Sequence, residues 1–192
     1  MTGYDFDKTI YAGNCFVDFY FYCLLRRPYI VLLLPYQAMI GLLYVVRLID
    51  RKMCKQLFHC YLFFVFGRDK LIAKFWQTHI KKIKQWYLKQ KRDDDVIISA
   101  TPKFFLQPAC DMLEIKYLIA TDMDKSTGMI RGENCYKTSK VKMFRQKFGN
   151  SAMLEAFYSD SKSDIPMMRL AKKGYFVFGN EIKEYKEIDN DK

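Results

Sequence analysis

The sequence predicts an α/β fold with a parallel sheet flanked by helices. Four runs rich in β-branched or aromatic residues have strand character, and helical or turn-rich segments separate them: residues 96–99, 116–121, 155–159 and 175–178. Alternation of strands and helices is typical of parallel sheets, in which ligands bind at the carboxyl ends of the strands. A chain of 192 residues is long enough for one such core and an inserted segment.

The first strand is predicted at the start of the chain, where a short apolar run ends in Asp-x-Asp-x-Thr at residues 5–9. Side chains at i and i+2 share one face of a strand, so Asp5 and Asp7 converge at its carboxyl end. Two such carboxylates repel each other unless a cation lies between them, and oxygen ligands suit Mg²⁺. A carboxylate in this position can also act as a nucleophile. A solvated acidic turn is the alternative interpretation of this motif alone.

The chain between Phe16 and Arg92 is predicted to be helical. Residues 71–88 show apolar side chains three and four positions apart with lysines between them, which is typical of amphipathic helices. We therefore expect a helical insertion of residues 17–91 in an α/β core formed by residues 1–16 and 92–192.

Three later segments carry further polar groups. A β-branched run ends at Ser99, a loop at residues 134–141 leads into a basic helix, and an apolar run ends in Asp160 and Asp164. In this order the segments resemble the four motifs of the haloacid dehalogenase (HAD) superfamily. The resemblance implies a Rossmann-like core with an all-helical cap inserted after the first strand. The position of the cap is similar to that in subfamily IB, which includes phosphoserine phosphatase and phosphatidylglycerophosphatase C.

The resemblance also implies roles for individual residues. Asp5 would be the nucleophile, Asp7 the general acid/base and Lys140 the lysine of the third motif, with Lys137 and Lys142 as alternatives for that lysine. The residues implied to bind the substrate phosphate are Thr9, Ser99, Ala100 and Lys140. The residues implied to hold Mg²⁺ are Asp5, Asp7, Asp160 and Asp164. Ser159 and Ser161 stand where the commonest fourth motif has glycines, but the spacing of the two aspartates is kept.

An uncharged apolar stretch runs over residues 29–46, and basic residues flank it on both sides: Arg26, Arg27, Arg47, Arg51 and Lys52. Its length just reaches that of a membrane span. Pro35 and Gln37 near its centre disfavour a span. Three interpretations stay open, namely two buried cap helices broken near Pro35, a helical hairpin in the membrane interface, and a spanning helix.

Charge and cysteine content restrict the class of partner. The net charge of +11 together with the apolar stretch favours peripheral contact with an anionic membrane, and no signature of nucleic-acid binding accompanies it. The six cysteines form no Cys-x-x-Cys pair, which argues against a zinc site. Because the chain opens directly into the first motif, we expect no signal peptide and a cytoplasmic location, at the inner face of the membrane if it is peripheral. The charged tail at residues 181–192 is predicted to be frayed.

These observations together predict a Mg²⁺-dependent phosphomonoester hydrolase that works through an aspartyl-phosphate intermediate. The fourth motif, Tyr-Ser-Asp-Ser-x-x-Asp at residues 158–164, is similar to the form in phosphatidylglycerophosphatase C-like proteins. A lipid phosphate such as phosphatidylglycerophosphate is therefore one expected substrate. A soluble-metabolite phosphatase resembling phosphoserine phosphatase is the alternative, and a non-catalytic, membrane-associated relative is the third hypothesis.

Overall fold

A single six-stranded sheet organises the protein. The computed structural model describes residues 1–186, and the strand order in the sheet is β3-β2-β1-β4-β5-β6. The first five strands are parallel to their neighbours, and β6 is antiparallel to β5. The predicted α/β fold is therefore confirmed. The strand bounds are β1 Thr2–Tyr4, β2 Val96–Pro102, β3 Tyr117–Thr121, β4 Leu154–Ser159, β5 Ala171–Phe178 and β6 Glu181–Tyr185.

Five α-helices lie between β1 and β2 in the chain, and together they form the helical insertion. They are α1 Cys15–Arg26, α2 Leu34–Val45, α3 Arg51–Phe58, α4 Arg68–His79 and α5 Gln85–Gln90, with 3₁₀ turns at Pro28–Leu33, His59–Phe64 and Ile80–Lys82. The remaining helices are α6 Lys103–Met112, α7 Thr138–Phe148 and α8 Ile165–Leu170. The division into an insertion and a core at residues 16 and 92 stays a prediction.

The sheet separates two hydrophobic clusters. Successive residues of a strand point to opposite faces, and β2 shows this directly. Ile97 belongs to the cluster that contains side chains of α1, α4 and α6, whereas Val96 and Ile98 belong to the cluster under α7 and α8. The strand interior is therefore apolar on both faces, as expected for a parallel sheet covered by helices.

Aromatic side chains join the helical insertion to the core. Trp76 of α4 is fully buried, contacts Phe6 edge to face with ring centroids 5.9 Å apart, and donates its indole N–H to the carbonyl of Phe105 at 2.7 Å. Phe19 of α1 packs on Phe105 at 4.9 Å. The high aromatic content, 17% of the chain, is thus used largely in this junction, where large rings fill the space between helices and sheet.

The apolar stretch forms a continuous helical segment from Pro28 to Val45, with mean hydropathy 1.6. Only 17% of this segment is buried, so the interpretation as buried helices is wrong. The side that faces the protein carries Ile30, Gln37 and Ile40. The opposite side is exposed, because the insertion supplies no further helix to cover it.

The predicted frayed tail is also corrected in part. Residues 181–185 form β6, which pairs with β5 through a two-residue turn at Gly179 and Asn180. Gly179 has φ +62°, a conformation that such hairpin turns require and that glycine adopts without strain. The backbone pairing holds this charged segment although its side chains are mostly exposed. The rest of the predicted tail, residues 187–192, lies outside the described residues.

Candidate active site

The predicted site residues converge because their strands are neighbours. β1 lies between β2 and β4 in the sheet, and the registers place Tyr4 beside both Ile97 and Tyr158. The residues that follow these three strands therefore meet at one edge of the sheet. They line a cleft of about 240 Å³, called here the polar cleft, formed by Asp5, Asp7, Lys8, Asn14, Arg51, Ser99, Ala100, Tyr136, Lys140, Asp160, Ser161, Ser163 and Asp164.

The centre of the polar cleft is a buried ion cluster. Lys140, in the first turn of α7, donates hydrogen bonds from Nζ to Asp5 Oδ1 and to Asp164 Oδ2, each at 2.7 Å. The side chains of Lys140 and Asp164 are almost inaccessible to solvent, and that of Asp5 is only 12% exposed. The structure thus brings Lys140 to the two aspartates. Lys142 instead forms a surface ion pair with Glu133.

Lys137 is likewise excluded from this cluster by its position. It precedes α7, has φ +54°, and extends its ammonium over the ring of Tyr136 at 5.5 Å. Among the three lysines that the sequence left open, only Lys140 contacts Asp5.

Burial and mutual charge interactions shift the pKa values of residues in and beside the ion cluster. Burial raises the pKa of Asp5 to about 7, and the positive charge of Lys140 opposes that rise. For Lys140 burial works toward a lower pKa, but the charges of Asp5 and Asp164 outweigh it and raise the pKa above its ordinary value. Burial also raises the pKa of Asp160, against the opposing effect of Lys8. The raised pKa values of Asp5 and Asp160 show that the ionised carboxyl groups are disfavoured in this desolvated cleft, and a bound cation would relieve that penalty.

Asp164 is fixed by the serine that replaces a glycine in the fourth motif. The hydroxyl of Ser159 donates to Asp164 Oδ2 at 2.7 Å, so this oxygen accepts from both Ser159 and Lys140. The other oxygen, Oδ1, is buried and has no hydrogen-bond partner among the described residues. An unpartnered buried carboxylate oxygen is costly, and a cation in the cleft would satisfy it.

Asp7 lines the polar cleft, but partners outside the ion cluster hold its carboxylate. Its Oδ1 accepts the backbone N–H of Cys15 at 2.7 Å, and its Oδ2 accepts the hydroxyl of Thr101 at 2.6 Å. Cys15 is the first residue of α1, which begins there because the Asn14 side chain caps it by accepting from Val17 N. The first N–H groups of a helix have no partner within the helix, so Asp7 supplies one.

Thr9 does not lie where a phosphate could reach it. Its side chain is fully buried, and its Oγ1 accepts the backbone N–H of Asp160 at 3.0 Å. The expectation that Thr9 binds the substrate phosphate is therefore wrong for this structure. Thr9 instead links the first motif to the fourth through this hydrogen bond, because the ends of β1 and β4 are neighbours in the sheet.

Ser99 and Ala100 do line the polar cleft, at a bend in β2. The pairing of β2 with β3 shifts register between Ser99 and Pro102, where β2 has two more residues than β3. The hydroxyl oxygen of Ser99 accepts the backbone N–H of Thr101 at 3.1 Å, which fixes it at the cleft wall.

The carboxylates of the polar cleft fit the predicted Mg²⁺ site in number and in donor type. No three His, Cys, Asp or Glu side chains within residues 1–186 form a ready-made metal cluster. Mg²⁺ in enzymes commonly uses one or two carboxylates, with water and substrate phosphate completing its shell. This requirement is met by Asp5 and by Asp164, which carries the unpartnered oxygen. Asp160 lines the same cleft. Both carboxylate oxygens of Asp7 accept hydrogen bonds, and its place in the predicted ligand set stays a prediction.

Comparison with known proteins identifies the family. The sequence profile of the haloacid dehalogenase-like hydrolases matches residues 2–169. The chain belongs to this family. A Bordetella pertussis Tohama I protein of unknown function has the same fold, with a TM-score of 0.74 and 18% identity over 91% of this chain and 87% of that one.

Two named proteins are similar in sequence to parts of this HAD hydrolase. Protein CicA of Caulobacter vibrioides is 34% identical over 89 residues, 43% of this chain and 40% of the relative. A histidinol-phosphatase of Neisseria meningitidis serogroup C is 25% identical over 118 residues, 54% of this chain and 53% of the relative. The chain thus spans about half the length, or less, of these relatives.

Two residues at or beside the candidate site of this HAD hydrolase were not predicted from its sequence. Thr101 does not line the polar cleft but donates to Asp7 Oδ2, and its position two residues after Ser99 is a signal that could have identified it. Arg51 had been noted only as a flank of the apolar stretch, but it lines the polar cleft. Its distance of more than forty positions from either neighbouring motif gives no sequence signal, because only the packing of α3 brings it there.

Proposed function

We propose that this HAD hydrolase is a Mg²⁺-dependent phosphomonoesterase in which Asp5 forms an aspartyl-phosphate. The observation that carries the proposal is the buried Lys140, held at 2.7 Å from both Asp5 and Asp164 in a cleft at the strand ends. A cation fixed beside a carboxylate nucleophile can neutralise a phosphoryl group as it approaches. The helical insertion after β1 supports a place in subfamily IB.

The proposed reaction uses the side chains that line the polar cleft. A carboxylate oxygen of Asp5 attacks phosphorus, the new P–O bond forms, and the bond to the leaving alcohol breaks. Asp7 gives its proton to the leaving oxygen and then takes a proton from the water that attacks the aspartyl-phosphate. That second attack releases inorganic phosphate and restores the Asp5 carboxylate. Ser99 and Lys140 donate hydrogen bonds to the phosphoryl oxygens.

Asp5, Asp160 and Asp164 are the residues proposed to hold Mg²⁺. When bound, the ion supplies positive charge that screens the phosphoryl oxygens from the carboxylates. The Asp164 oxygen that has no partner supports this assignment.

The catalytic proposal is tested with Asp5→Asn. We expect phosphate release from p-nitrophenyl phosphate to fall by at least about a thousandfold, because an amide is not a nucleophile toward phosphorus. Borohydride trapping followed by mass spectrometry should find a modified Asp5 in the natural sequence only. Asp93→Asn is the matched control, since Asp93 is exposed and precedes β2 at the opposite edge of the sheet. Full activity of Asp5→Asn would contradict the nucleophilic role of Asp5. No activity in the natural sequence would favour a non-catalytic protein.

The substrate alcohol is proposed to occupy a second cavity of about 550 Å³, called here the aromatic cavity. Asp7 and Arg51 line both this cavity and the polar cleft, so a leaving alcohol that receives a proton from Asp7 would enter it. The apolar part of its wall consists of Phe16, Val17, Tyr20, Phe21, Tyr44 and Phe58, with Tyr61 and Pro102. Such a wall favours an apolar alcohol and therefore supports a lipid phosphate.

A soluble phosphoester is the second candidate, favoured by the similarity to a histidinol-phosphatase. The lipid and the soluble candidates are distinguished by comparing phosphate release from two lipids, phosphatidylglycerophosphate and phosphatidic acid, with release from phosphoserine and histidinol phosphate. A kcat/KM at least about tenfold higher for a lipid would support the lipid proposal, because burying even two CH₂ groups is worth more than this ratio. Preference for a soluble ester would overturn it.

The exposed side of the insertion is proposed to rest on an anionic membrane surface, at its cytoplasmic face. Its apolar residues, called here the apolar face, are Val17, Phe21, Leu25, Tyr29, Val31, Leu32, Leu34, Met39, Leu42, Tyr44, Val45, Val46 and Leu48, several of them more than 70% exposed. Val17, Phe21 and Tyr44 also line the aromatic cavity, so the cavity wall continues into this face. Arg26, Arg27 and Arg47 flank the face, and their charge complements anionic headgroups.

The contacts of the apolar segment favour lying on the membrane over spanning it. Gln37 accepts the hydroxyl of Tyr20 at 2.5 Å and donates to the carbonyl of Phe58 at 3.1 Å. Tyr29 donates to the carbonyl of Phe64 at 2.7 Å. A spanning helix would have to give up these hydrogen bonds in a medium that offers no replacement.

Sedimentation with vesicles tests the membrane proposal. We expect binding to vesicles with anionic phospholipid, weakened by salt, and little binding to vesicles of phosphatidylcholine alone. The double variant Leu42→Gln with Val45→Gln should weaken binding at least about tenfold, because both side chains are exposed on α2. Met153→Gln is the control, since Met153 is 60% exposed just before β4, at the opposite edge of the sheet. Equal loss in the control would refute the proposed face.

A further inference from the structure

Two cationic side chains, Arg51 and Lys55, share the lining of the aromatic cavity with one acidic residue, Asp7. Arg51 and Lys55 lie one turn apart on α3, and both line the cavity. Neither forms a salt bridge with a carboxylate within residues 1–186. The remaining lining of the cavity is mostly aromatic or uncharged. The pair is therefore a concentration of positive charge in a largely apolar space.

The hydrogen bonds of Lys55 reach no carboxylate, and the charge of Asp7 compensates its charge only from a distance. Its Nζ donates to the carbonyl of Ala100 at 2.6 Å and to Asn134 Oδ1 at 3.2 Å, which are both neutral acceptors. An ammonium group has three N–H donors, so one remains after these two contacts. Burial, and then the nearby charge of Arg51, lower the pKa of Lys55 to about 8. A desolvated cation without a counter-charge in contact is costly, and an anionic ligand would offset that cost.

Arg51 connects this charge to the reaction centre. It lines the polar cleft as well as the aromatic cavity, and its guanidinium lies over the ring of Tyr136 with Cζ 4.0 Å from the ring centroid. Stacking on a ring fixes the plane of a guanidinium and leaves its N–H edge free to bind an anion. An anion bound between Arg51 and Lys55 would thus be next to the phosphoryl group, on the side of the leaving alcohol.

We propose that Arg51 and Lys55 form a second anion subsite, which selects phosphomonoesters whose alcohol carries another anionic group. The inference rests on the proposed phosphatase function and narrows its substrate class. The preferred substrate then has a phosphate in the polar cleft, a second anion at α3 and an apolar remainder along the aromatic wall. A simple alkyl phosphate satisfies only the first and third of these contacts.

A matched set of short substrates tests the subsite. Propanediol monophosphate is compared with two derivatives, one carrying a methyl phosphodiester on its far hydroxyl and one carrying a carboxylate at the same end. We expect kcat/KM of the natural sequence to be at least about tenfold higher for an anionic derivative than for propanediol monophosphate, chiefly through KM. The two derivatives show whether a phosphodiester or a carboxylate is the preferred second anion.

Variants then assign the preference to the two residues. Arg51→Gln and Lys55→Met should each reduce the ratio of kcat/KM between the anionic derivative and propanediol monophosphate to about threefold or less. Lys52→Met is the matched control, because Lys52 lies on the same helix and donates to the carbonyl of Gly132 at 2.7 Å but does not line the cavity. The control should keep the ratio of the natural sequence.

The outcomes separate this inference from the proposed function. Equal kcat/KM for all three substrates, or the same loss of ratio in Lys52→Met, would overturn the subsite and leave the phosphatase proposal standing. A Lys55→Met variant that slows all substrates equally would make Lys55 only a tether between α3 and β2. Arg51→Gln then decides, because this side chain is exposed, and an unchanged ratio in that variant would overturn the proposal. No hydrolysis of any monoester would overturn both.

Discussion

Replacing Lys140 by methionine removes the only cation that contacts the two buried aspartates within residues 1–186. The variant keeps the length of the side chain but leaves Asp5 and Asp164 facing each other without the ammonium that lies 2.7 Å from each. Each lost contact is a charge-assisted hydrogen bond, worth about 1.5–3 kcal/mol net. Breaking a buried ion pair by removing one partner costs about 3–5 kcal/mol in general. We therefore expect the free energy of unfolding to fall by about 3–5 kcal/mol at pH 8 in EDTA.

The stability difference between Lys140→Met and the natural sequence should depend on pH in a direction that can be measured. Without Lys140 the pKa of Asp5 rises further above its present value of about 7, because the lysine now opposes the effect of burial. As pH falls below this value the variant takes up a proton on the carboxylates and relieves their repulsion. The difference in stability should thus be largest at pH 8 and smaller at pH 5.5.

Urea unfolding followed by circular dichroism measures this difference. Added Mg²⁺ should restore part of the lost stability, because the ion supplies a cation to the same carboxylates in the folded state only. Lys142→Met is the matched control, and it should leave the transition unchanged since Lys142 forms only a surface ion pair. A loss below about 1 kcal/mol at pH 8, or a loss that grows on acidification, would refute this account of the cluster.

Three further changes test other parts of the structure. Thr101→Val removes the 2.6 Å hydrogen bond to Asp7 at nearly constant volume, so kcat should fall about tenfold or more with little change in melting temperature. An unchanged kcat would contradict the positioning of Asp7 by this hydroxyl. Gly128→Ala should cost about 1–3 kcal/mol in urea unfolding, because φ is +77° there and a Cβ would lie 2.7 Å from the carbonyl oxygen of His59; a neutral effect would show that this loop adapts freely. Burial raises the pKa of Asp95 to about 6, so ionisation of this carboxyl group lowers the free energy of unfolding. Asp95→Asn should therefore become more stable relative to the natural sequence as the pH rises from 4 to 7, by no more than about 3 kcal/mol. A stability difference that grows toward acid pH would contradict this prediction.

The catalytic edge of the sheet was predictable because its signals are local. Asp5, Ser99 and Asp160 each follow or end a hydrophobic run, and such runs become neighbouring parallel strands whose carboxyl ends meet. The strand β6 was also within reach, since Gly179 and Asn180 form a two-residue turn signal that the frayed-tail interpretation overlooked.

Other features depended on distances that spacing along the chain does not determine. Thr9 occupies the position of a phosphate ligand in its motif, yet the pairing of β1 with β4 buries it under Asp160. The choice among three nearby lysines was decided by the rotation of α7, which directs one position in each turn toward the sheet.

The sequence by itself determined the α/β class, the order of the motifs, the helical content of the insertion and the apolar character of residues 28–45, because each is written in local composition and periodicity. Only the tertiary structure decided which side of that apolar segment stays exposed and which cations of α3 reach the cleft. Both depend on how helices distant in sequence pack against each other, and that packing is the sum of many weak contacts that no single segment encodes.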